Sequence, residues 1–544
     1  MPNLPSPGAT TDVLIVGGGP VGSALAVELA MRGVDCVIVE QGDVSVPERG
    51  NIRARGVSMR SMEHLRRWGI AEQTRALVTV PQEWPRHMVV KTSLVGDEIL
   101  RFERDASVDW REVAAEPGLG IPQHRFAAAL QGRAVSLGAR VYAGVQCTSI
   151  RPSPSSVVAT VTDPTSGESS EVEAAYVVGC DGPHSLVRQV AGISRTESVP
   201  LGQNLSVSLY FPHAFDQLGV EPSANFTIFD GTMNTLFCPY QEDEWGYAIG
   251  PVPLDFDLSM LDLEQETRRR IGRDADFELL WNSPYPIQQR VADTYRAGRL
   301  FIAGDAAHLF PPYLGQNMNT GLDDAVNLGW KLAAMLEGWG GDSLLESYSD
   351  ERRPIGWRNS FASVETSQIM ARGQAFLARE GIAAGNDPLA VRSRRRLGER
   401  LYDICYQEWN TSGVVLDQRY QSAVIAADDS VPPIYDGARY QPFAKPGHRA
   451  PHFQLEAGKP LLDVIGPGFT LLDFSAGAGQ TEGLSKAAAN AGAPLKVVSV
   501  RDPRAASLYG AALVLVRTDQ HVAWRGDHLP ADPKGLVDKV RGAA

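Results

Sequence analysis

The sequence predicts an α/β protein: a discontinuous parallel-sheet lobe, an antiparallel sheet inserted into it, a helical segment, and a small separate α/β unit at the end. Three observations predict this. A strand–glycine turn–helix–strand unit opens the chain at "TDVLIVGGGPVGSALAVELAMRGVDCVIVEQGD". The middle, about 201–254, is a series of short β-rich runs between turn residues. After a Pro/Gly-rich stretch near residue 440, strand-like and helix-like runs alternate again.

The first unit places an apolar strand, Val13 to Val16, directly before Gly17-Gly18-Gly19-Pro20-Val21-Gly22. A helical pattern follows to about Arg32, and a second strand from Cys36 to Val39 ends at Glu40. Gly17, Gly19 and Gly22 make a G-x-G-x-x-G turn, which lets phosphate oxygens approach backbone N–H groups at a helix start. Glu40 lies 18 residues beyond the last glycine, near the spacing of about 20 expected for an acid that accepts ribose hydroxyls. Together they predict a dinucleotide site without separating NAD from FAD.

Two later segments add to it. In "YVVGCDGPHSLVRQVAGI" a strand ends at Gly179 and Asp181-Gly182 leads into a helix. In "GRLFIAGDAAHLFPPYLGQNMNTGLDD" a buried strand ends at Gly304-Asp305, Pro311-Pro312 stiffens the turn, and a new helix is expected to begin near Asn319 or Thr320. That helix N-terminus would carry about half a positive charge. Asp323 and Asp324 are expected to stabilise its first turn, and His308 to bond backbone.

The runs "LSVSLYFPH", "ANFTIFD", "TLFCPY" and "WGYAIGPVPL" predict an antiparallel sheet. A helix-rich region is expected from about Leu322 to Glu408, with apolar positions at Leu322, Ala325, Leu328, Leu332 and Leu336. "SVPPIYDGARYQPFAKPGHRAPHF" reads as a linker. The remaining runs predict the small α/β domain, from about 447 to 544.

Composition excludes several classes. The 544 residues carry a net charge of −13, with 43% hydrophobic and 21% charged residues, and no basic block. Nucleic acid and anionic membrane are therefore not expected partners. Five scattered cysteines without a CxxC pair read as free thiols in a reducing, cytoplasmic setting. No signal-peptide pattern and no apolar run of about 18 residues is present. The histidines show no metal-ligand spacing, so no metal is expected.

The three glycine- and aspartate-bearing segments, in this order, resemble the single-component FAD-dependent aromatic hydroxylases of the p-hydroxybenzoate hydroxylase-like fold. The resemblance covers about 11–353, including "ADTYRAGRLFIAGDAAH" and "LLESYSDERRP". From "KPGHRAPHFQL" onward the chain looks like the thioredoxin-like domain of the polyketide, rifampicin and phenol hydroxylase branch. No cysteine follows Cys405, so dithiol chemistry is not expected there; a structural role or homodimer contacts are.

The resemblance implies a Rossmann-like FAD-binding domain from 1–85, 119–195 and 286–345, and a substrate domain from 86–118 and 196–285. A helical segment would follow at 346–420, a linker at 421–446 and the thioredoxin-like domain at 447–544. Non-covalent FAD would be held by Gly17, Gly19, Pro20, Val21, Gly22, Glu40, Gln41, Arg53, Gln123, Cys147, Asp181, Gly182, Asp305, Gly315, Met318 and Asn319. Arg55, Pro312 and Asn317 would stand nearest the reacting atoms. Asn317 replaces the glycine of many relatives and is expected to tolerate a left-handed backbone there. Phe226, Phe237, Trp245 and Tyr247, with Phe229, would line the pocket.

The implied activity is hydroxylation of a small phenolic or polycyclic aromatic substrate through a flavin C4a-hydroperoxide, with O2 and NAD(P)H, NADPH favoured. The alternatives are a Baeyer–Villiger or epoxidising enzyme of the same fold, an oxidase-like variant that releases peroxide, and a non-catalytic flavoprotein that sequesters an aromatic ligand.

Overall fold

The computed structural model describes residues 4–42, 56–78, 80–81, 84–85, 87–106, 108–197, 201–229, 235–240, 243–455, 458–475 and 481–544. The opening unit forms as expected: strand β1 (Ala9–Val16), helix α1 (Pro20–Ala30) and strand β2 (Cys36–Glu40). Proline at the first helical position suits α1, because the N–H it lacks would be unpaired there anyway. β1 lies between two parallel neighbours, β2 and the Ser169–Gly179 strand. Flanked on both sides and covered on both faces, it buries Val13, Leu14 and Ile15 completely. The eight-stranded sheet continues from Ser169–Gly179 to the parallel Leu300–Ile302 and the antiparallel Arg296–Ala297.

The second sheet has seven strands, in the order Glu278–Pro286, Gln203–Tyr210, Glu244–Val252, Thr235–Pro239, Asn225–Ile228, His87–Lys91, Glu98–Glu103. It is mixed where an antiparallel sheet was expected, because Asn225–Ile228 runs parallel to His87–Lys91. A parallel pair needs a long crossover, and here the chain passes through the first sheet between the two strands.

Its two faces bury different cores. Leu205, Val207, Phe226, Phe237, Trp245 and Tyr247 pack under the helices Ala214–Leu218 and Leu263–Ile271. Met88, Val90 and Ile99 face Met370, Phe376 and Leu377 of the long helix Asp342–Glu380.

The last unit is a four-stranded sheet, Leu495–Ser499, Phe469–Asp473, Leu513–Val516, Val522–Gly526, with helices Glu482–Asn490, Pro503–Tyr509 and Pro533–Val540. One neighbour of the Phe469–Asp473 strand is parallel and the other antiparallel, as a thioredoxin-like unit requires. The stretch before it is no loose tether: Tyr420, Val424, Ile425, Ala444 and Arg449 are all buried. No helix among the described residues is long and apolar enough to cross a membrane.

Candidate functional site

The three segments singled out in the sequence converge, although nearly 300 residues separate the first from the last. A Cβ on Gly17 (φ +104°) would lie 2.3 Å from the Cys180 carbonyl oxygen, and one on Gly22 would lie 2.0 Å from the Gly17 carbonyl oxygen. Only glycine allows that approach and that backbone angle. Cys180 N donates to Val16 O, and Ala303 N donates to Gly179 O, which aligns the second and third segments beside the first. Val21 then fills the gap between Gly304 and Gly321: their Cβ atoms would meet its Cγ2 at 3.0 and 2.6 Å.

At the first corner, Glu40 accepts from Gly18 N at 2.6 Å through one oxygen and from Gly42 N at 2.7 Å through the other. The carboxylate is therefore anchored to the glycine turn, with Gln41 exposed beside it. Gly19 has an ordinary φ of −64°, and a Cβ there would meet nothing within 4 Å. Neither backbone nor packing asks for glycine at this position. What glycine supplies is open space at the start of α1, which suits a phosphate held by helix N–H groups.

At the second corner, Asp181 accepts from Val187 N at 3.2 Å through Oδ2, and its buried Oδ1 has no protein partner. Burial raises the carboxyl's pKa, opposed by its bonds to Ser185 and Val187. Gly182 has φ +76° with open space around it. Behind this turn Arg188 and Arg195 both donate to Pro183 O, at 3.3 and 2.9 Å. Burial, then repulsion from Arg188 and Arg290, pushes the Arg195 pKa down to about 10, and its buried Nη1 is unpaired.

The third corner differs most from expectation. The helix begins at Gln316, three residues early, and runs to Leu336. Leu314 (φ +62°) and Gly315 (φ +63°) adopt the left-handed turn that launches it. Asn317 is therefore an ordinary helical residue, and its Nδ2 donates to Asp305 Oδ1 at 2.8 Å. Leu314 N donates to Glu408 Oε2 at 3.1 Å, which secures the turn. Pro312 and Gly315 are exposed, whereas Met318 is half-buried against the main core.

Asn319 staples the helix start to the preceding chain. Its Oδ1 accepts from Ser58 N and Ser61 Oγ at 2.9 and 2.7 Å, and its Nδ2 donates to Gly56 O and Gly315 O at 3.0 and 2.6 Å.

Asp323 and Asp324 are not first-turn stabilisers. Asp323 meets His64 Nε2 at 3.0 Å. Asp324 accepts from Gly304 N at 3.1 Å, contacts His308 Nε2 at 2.8 Å and takes Arg352 Nε at 2.8 Å. His308 thus pairs with a carboxylate rather than backbone. Burial opposes ionisation of Asp324, but Arg352 and His308 hold its pKa below the ordinary carboxylate value.

Gln123 opens the Gln123–Ser136 helix. Cys147 is buried in its strand, and burial, reinforced by Asp181, pushes its thiol up to about 12. Arg53 and Arg55 lie outside the described residues. The expected pocket aromatics are relocated: Phe226, Phe237, Trp245 and Tyr247 stand in the core under the short helices, Phe237 stacked on Tyr247 with ring centroids 4.6 Å apart. Because side chains alternate along a strand, Thr227, Cys238, Gly246 and Ala248 face the other way. Phe229, beyond the end of its strand, joins the core beneath the long helix.

The family model described as FAD binding domain matches residues 10–362, and the one described as aromatic-ring hydroxylase, C-terminal, matches residues 444–543. The chain belongs to the FAD-dependent aromatic-ring hydroxylases. Among hydroxylases of this family it is 30% identical to tetracenomycin A2 monooxygenase-dioxygenase of Streptomyces glaucescens, over 96% of this chain and 94% of that one. It is 29% identical to phenol 2-monooxygenase of Pseudomonas sp. (strain EST1001), over 98% and 92%.

Among solved structures, the rebeccamycin biosynthetic enzyme RebC with reduced flavin is 34% identical with a TM-score of 0.89, covering 99% of this chain and 100% of that one. Aklavinone-11 hydroxylase with FAD and aklavinone is 25% identical with a TM-score of 0.81, covering 98% and 99%. In this hydroxylase, FAD is the cofactor that the three converging corners fit.

Proposed function

We propose that this hydroxylase inserts one oxygen atom of O2 into a phenolic, polycyclic aromatic substrate at the expense of NADPH. The observation that carries the reading is the convergence of the Gly17–Gly22 turn with Glu40, the Asp181–Gly182 turn, and the Gln316 helix start beside Asp305. Bound there, FAD supplies the hydride acceptance and O2 activation that side chains cannot. The protein's own residues hold and orient. Glu40 would take the ribose hydroxyls, Gly19 and the start of α1 the pyrophosphate, and the first-turn N–H groups of the 316–336 helix the ring edge that becomes negative on reduction. The lobes expected from the sequence, 1–85 with 119–195 and 286–345 against 86–118 with 196–285, would divide cofactor from substrate binding.

Polar atoms buried without a protein partner support an oxygenated polycycle. The long helix Asp342–Glu380 carries Thr366 Oγ1 and both amide atoms of Gln374 in that condition, and carbonyl or hydroxyl substituents would satisfy them. For the nicotinamide partner, Arg188, Arg195 and Arg290 stand close enough to repel one another, with Asp181 the carboxylate whose charge acts on Arg188. Such a group suits a phosphate of the dinucleotide.

The test is steady-state NADPH oxidation over a panel of one- to four-ring phenols, with products analysed under 18O2. Substrate-stimulated oxidation with label in a new ring hydroxyl is expected; label in an ester, or peroxide with unchanged substrate, would overturn the hydroxylase reading. In the same assay Arg195→Gln should raise KM for NADPH about 5- to 20-fold with little change in kcat, the loss of one charge-assisted contact. An unchanged KM would remove the arginine group from the nicotinamide site.

A further inference from the structure

Asn317 is helical at the second position of its helix, so its identity is not set by the backbone. Its side chain has a definite orientation. Nδ2 donates to the Asp305 carboxylate at 2.8 Å, and the reverse rotamer would aim the amide oxygen at that negative group. The other end of the amide, Oδ1, is then fixed: it is buried and has no protein partner. A buried acceptor without a donor is costly unless a ligand supplies one.

The neighbouring groups narrow the chemistry of that ligand. The first-turn N–H groups of the 316–336 helix are donors without intrahelical partners, and Asp305 and Asn317 Oδ1 are acceptors. A group that fits both sets must accept and donate within a few ångströms, as a chain of hydroxyls does. A phosphate would satisfy only the donors, and it would face the Asp305 carboxylate.

We propose that Asn317 is a cofactor-binding residue whose amide bridges Asp305 to a hydroxyl of the ribityl chain of FAD. The proposal rests on FAD occupying the three converging corners. Asn317 fixes the Asp305 carboxylate through Nδ2 and accepts the hydroxyl through Oδ1. A glycine here would leave the carboxylate alone to hold the chain. The consequence is selectivity for the polyhydroxylated linker, separate from the grip of the glycine turn on the pyrophosphate.

The experiment is binding of FAD, and of three FAD analogues each lacking one ribityl hydroxyl, to apoprotein, followed by quenching of flavin fluorescence. Wild type should prefer FAD over at least one analogue. Asn317→Gly should weaken FAD binding about three- to tenfold, one hydrogen bond, and should leave the affinity for that analogue unchanged.

A second variant gives an independent reading. Asn317→Asp sets two carboxylates side by side, and such a pair shares a proton. Its FAD affinity should therefore rise as pH is lowered from 8 to 5, beyond any change in wild type. Equal losses for FAD and all three analogues in Asn317→Gly, or no loss at all, would overturn the proposal, as would an Asn317→Asp variant that follows wild type across pH. Wild-type apoprotein that takes up no FAD would overturn the cofactor assignment itself, whereas normal FAD uptake without coupling at Asn317 overturns this proposal alone.

Discussion

Glu40 shows how much one side chain can reveal before any coordinates. Its distance from the glycine turn makes it a candidate acceptor for sugar hydroxyls. The structure adds how it is held at the strand end: backbone N–H groups of Gly18 and Gly42 each donate to one oxygen. Those bonds tie it to the glycine turn. Glu40→Ala should raise the Kd for FAD about 10- to 100-fold, as expected for a charged acceptor, while the far-ultraviolet circular dichroism stays unchanged; FAD affinity equal to wild type would remove Glu40 from the ribose. Asn317 was harder to read. Its departure from the family pattern is visible in the sequence, but its bond to Asp305 is not, because twelve residues and a turn separate the two. The same holds for Asp324, whose partner Arg352 lies 28 residues on.

The elements were legible where periodicity is strong and misread where a turn intervenes. β1, α1 and β2 appear in the structure within two residues of the expected bounds at the turn, because apolar runs and glycines punctuate them. The helix after Pro312 begins early because Leu314, a residue that seldom adopts positive φ, takes the left-handed conformation. Nothing in its side chain advertises this; the Glu408 bond to its N–H helps to hold it. The sheet aromatics show another limit of sequence: alternation shows that a strand has two faces, not which one packs beneath the short helices, where these side chains stand.

The best-defined element contact is the seat of α1 on the third segment. A methyl on Gly321 would meet Val21 Cγ2 at 2.6 Å and Gly304 Cα at 2.9 Å. Gly321→Ala should therefore push α1 from the 316–336 helix, costing about 1–3 kcal/mol by overpacking and lowering FAD occupancy of the purified protein. Adding Val21→Ala should restore part of each, since the contact with the Gly304 backbone remains; a single variant with wild-type Tm and flavin content would show that the contact yields freely.

At the scale of the molecule, the terminal α/β unit is joined to the FAD-binding core by buried charge as well as by an apolar cluster in which Trp330 and Trp339 meet Phe469. Glu351, on the long helix, receives Arg517 from that unit at 2.6 and 2.8 Å, and Lys331 from the 316–336 helix at 2.8 Å; Arg517 also pairs with Asp519. A second link joins Glu63 to Arg449 and Arg60. Since the 316–336 helix also carries Asp324, which fixes Gly304 N, this unit braces the cofactor corner from behind. Such coupling was not legible in the sequence, where Glu351 and Arg517 are 166 residues apart.

Burial alone would raise the Glu351 pKa, but Arg517 and Lys331 outweigh it and lower it below its usual 4.5. Asp323 is likewise lowered from 3.8, burial being outweighed by His64 and Arg352. Carboxyls with depressed folded pKa values contribute stability that is complete above about pH 4.5. It is lost as pH falls further, because the unfolded chain then binds protons that the native one does not. Thermal unfolding should therefore give a Tm that already declines as pH falls from 7 to 6, where the unfolded chain protonates imidazoles that burial keeps neutral in the fold, such as His64 and His448, and that falls further below about 4.5. Glu351→Gln removes one partner of a buried cluster and should cost about 3–5 kcal/mol at pH 7. It should also make the acid limb shallower, since one depressed carboxyl no longer titrates. Lys331, which burial pushes down to about 8 despite Glu351, would lose its supporting charge in that variant and deprotonate more readily near neutrality. A Glu351→Gln protein whose Tm falls in parallel with wild type from pH 7 to 3 would show that Glu351 does not carry the acid dependence of the joint.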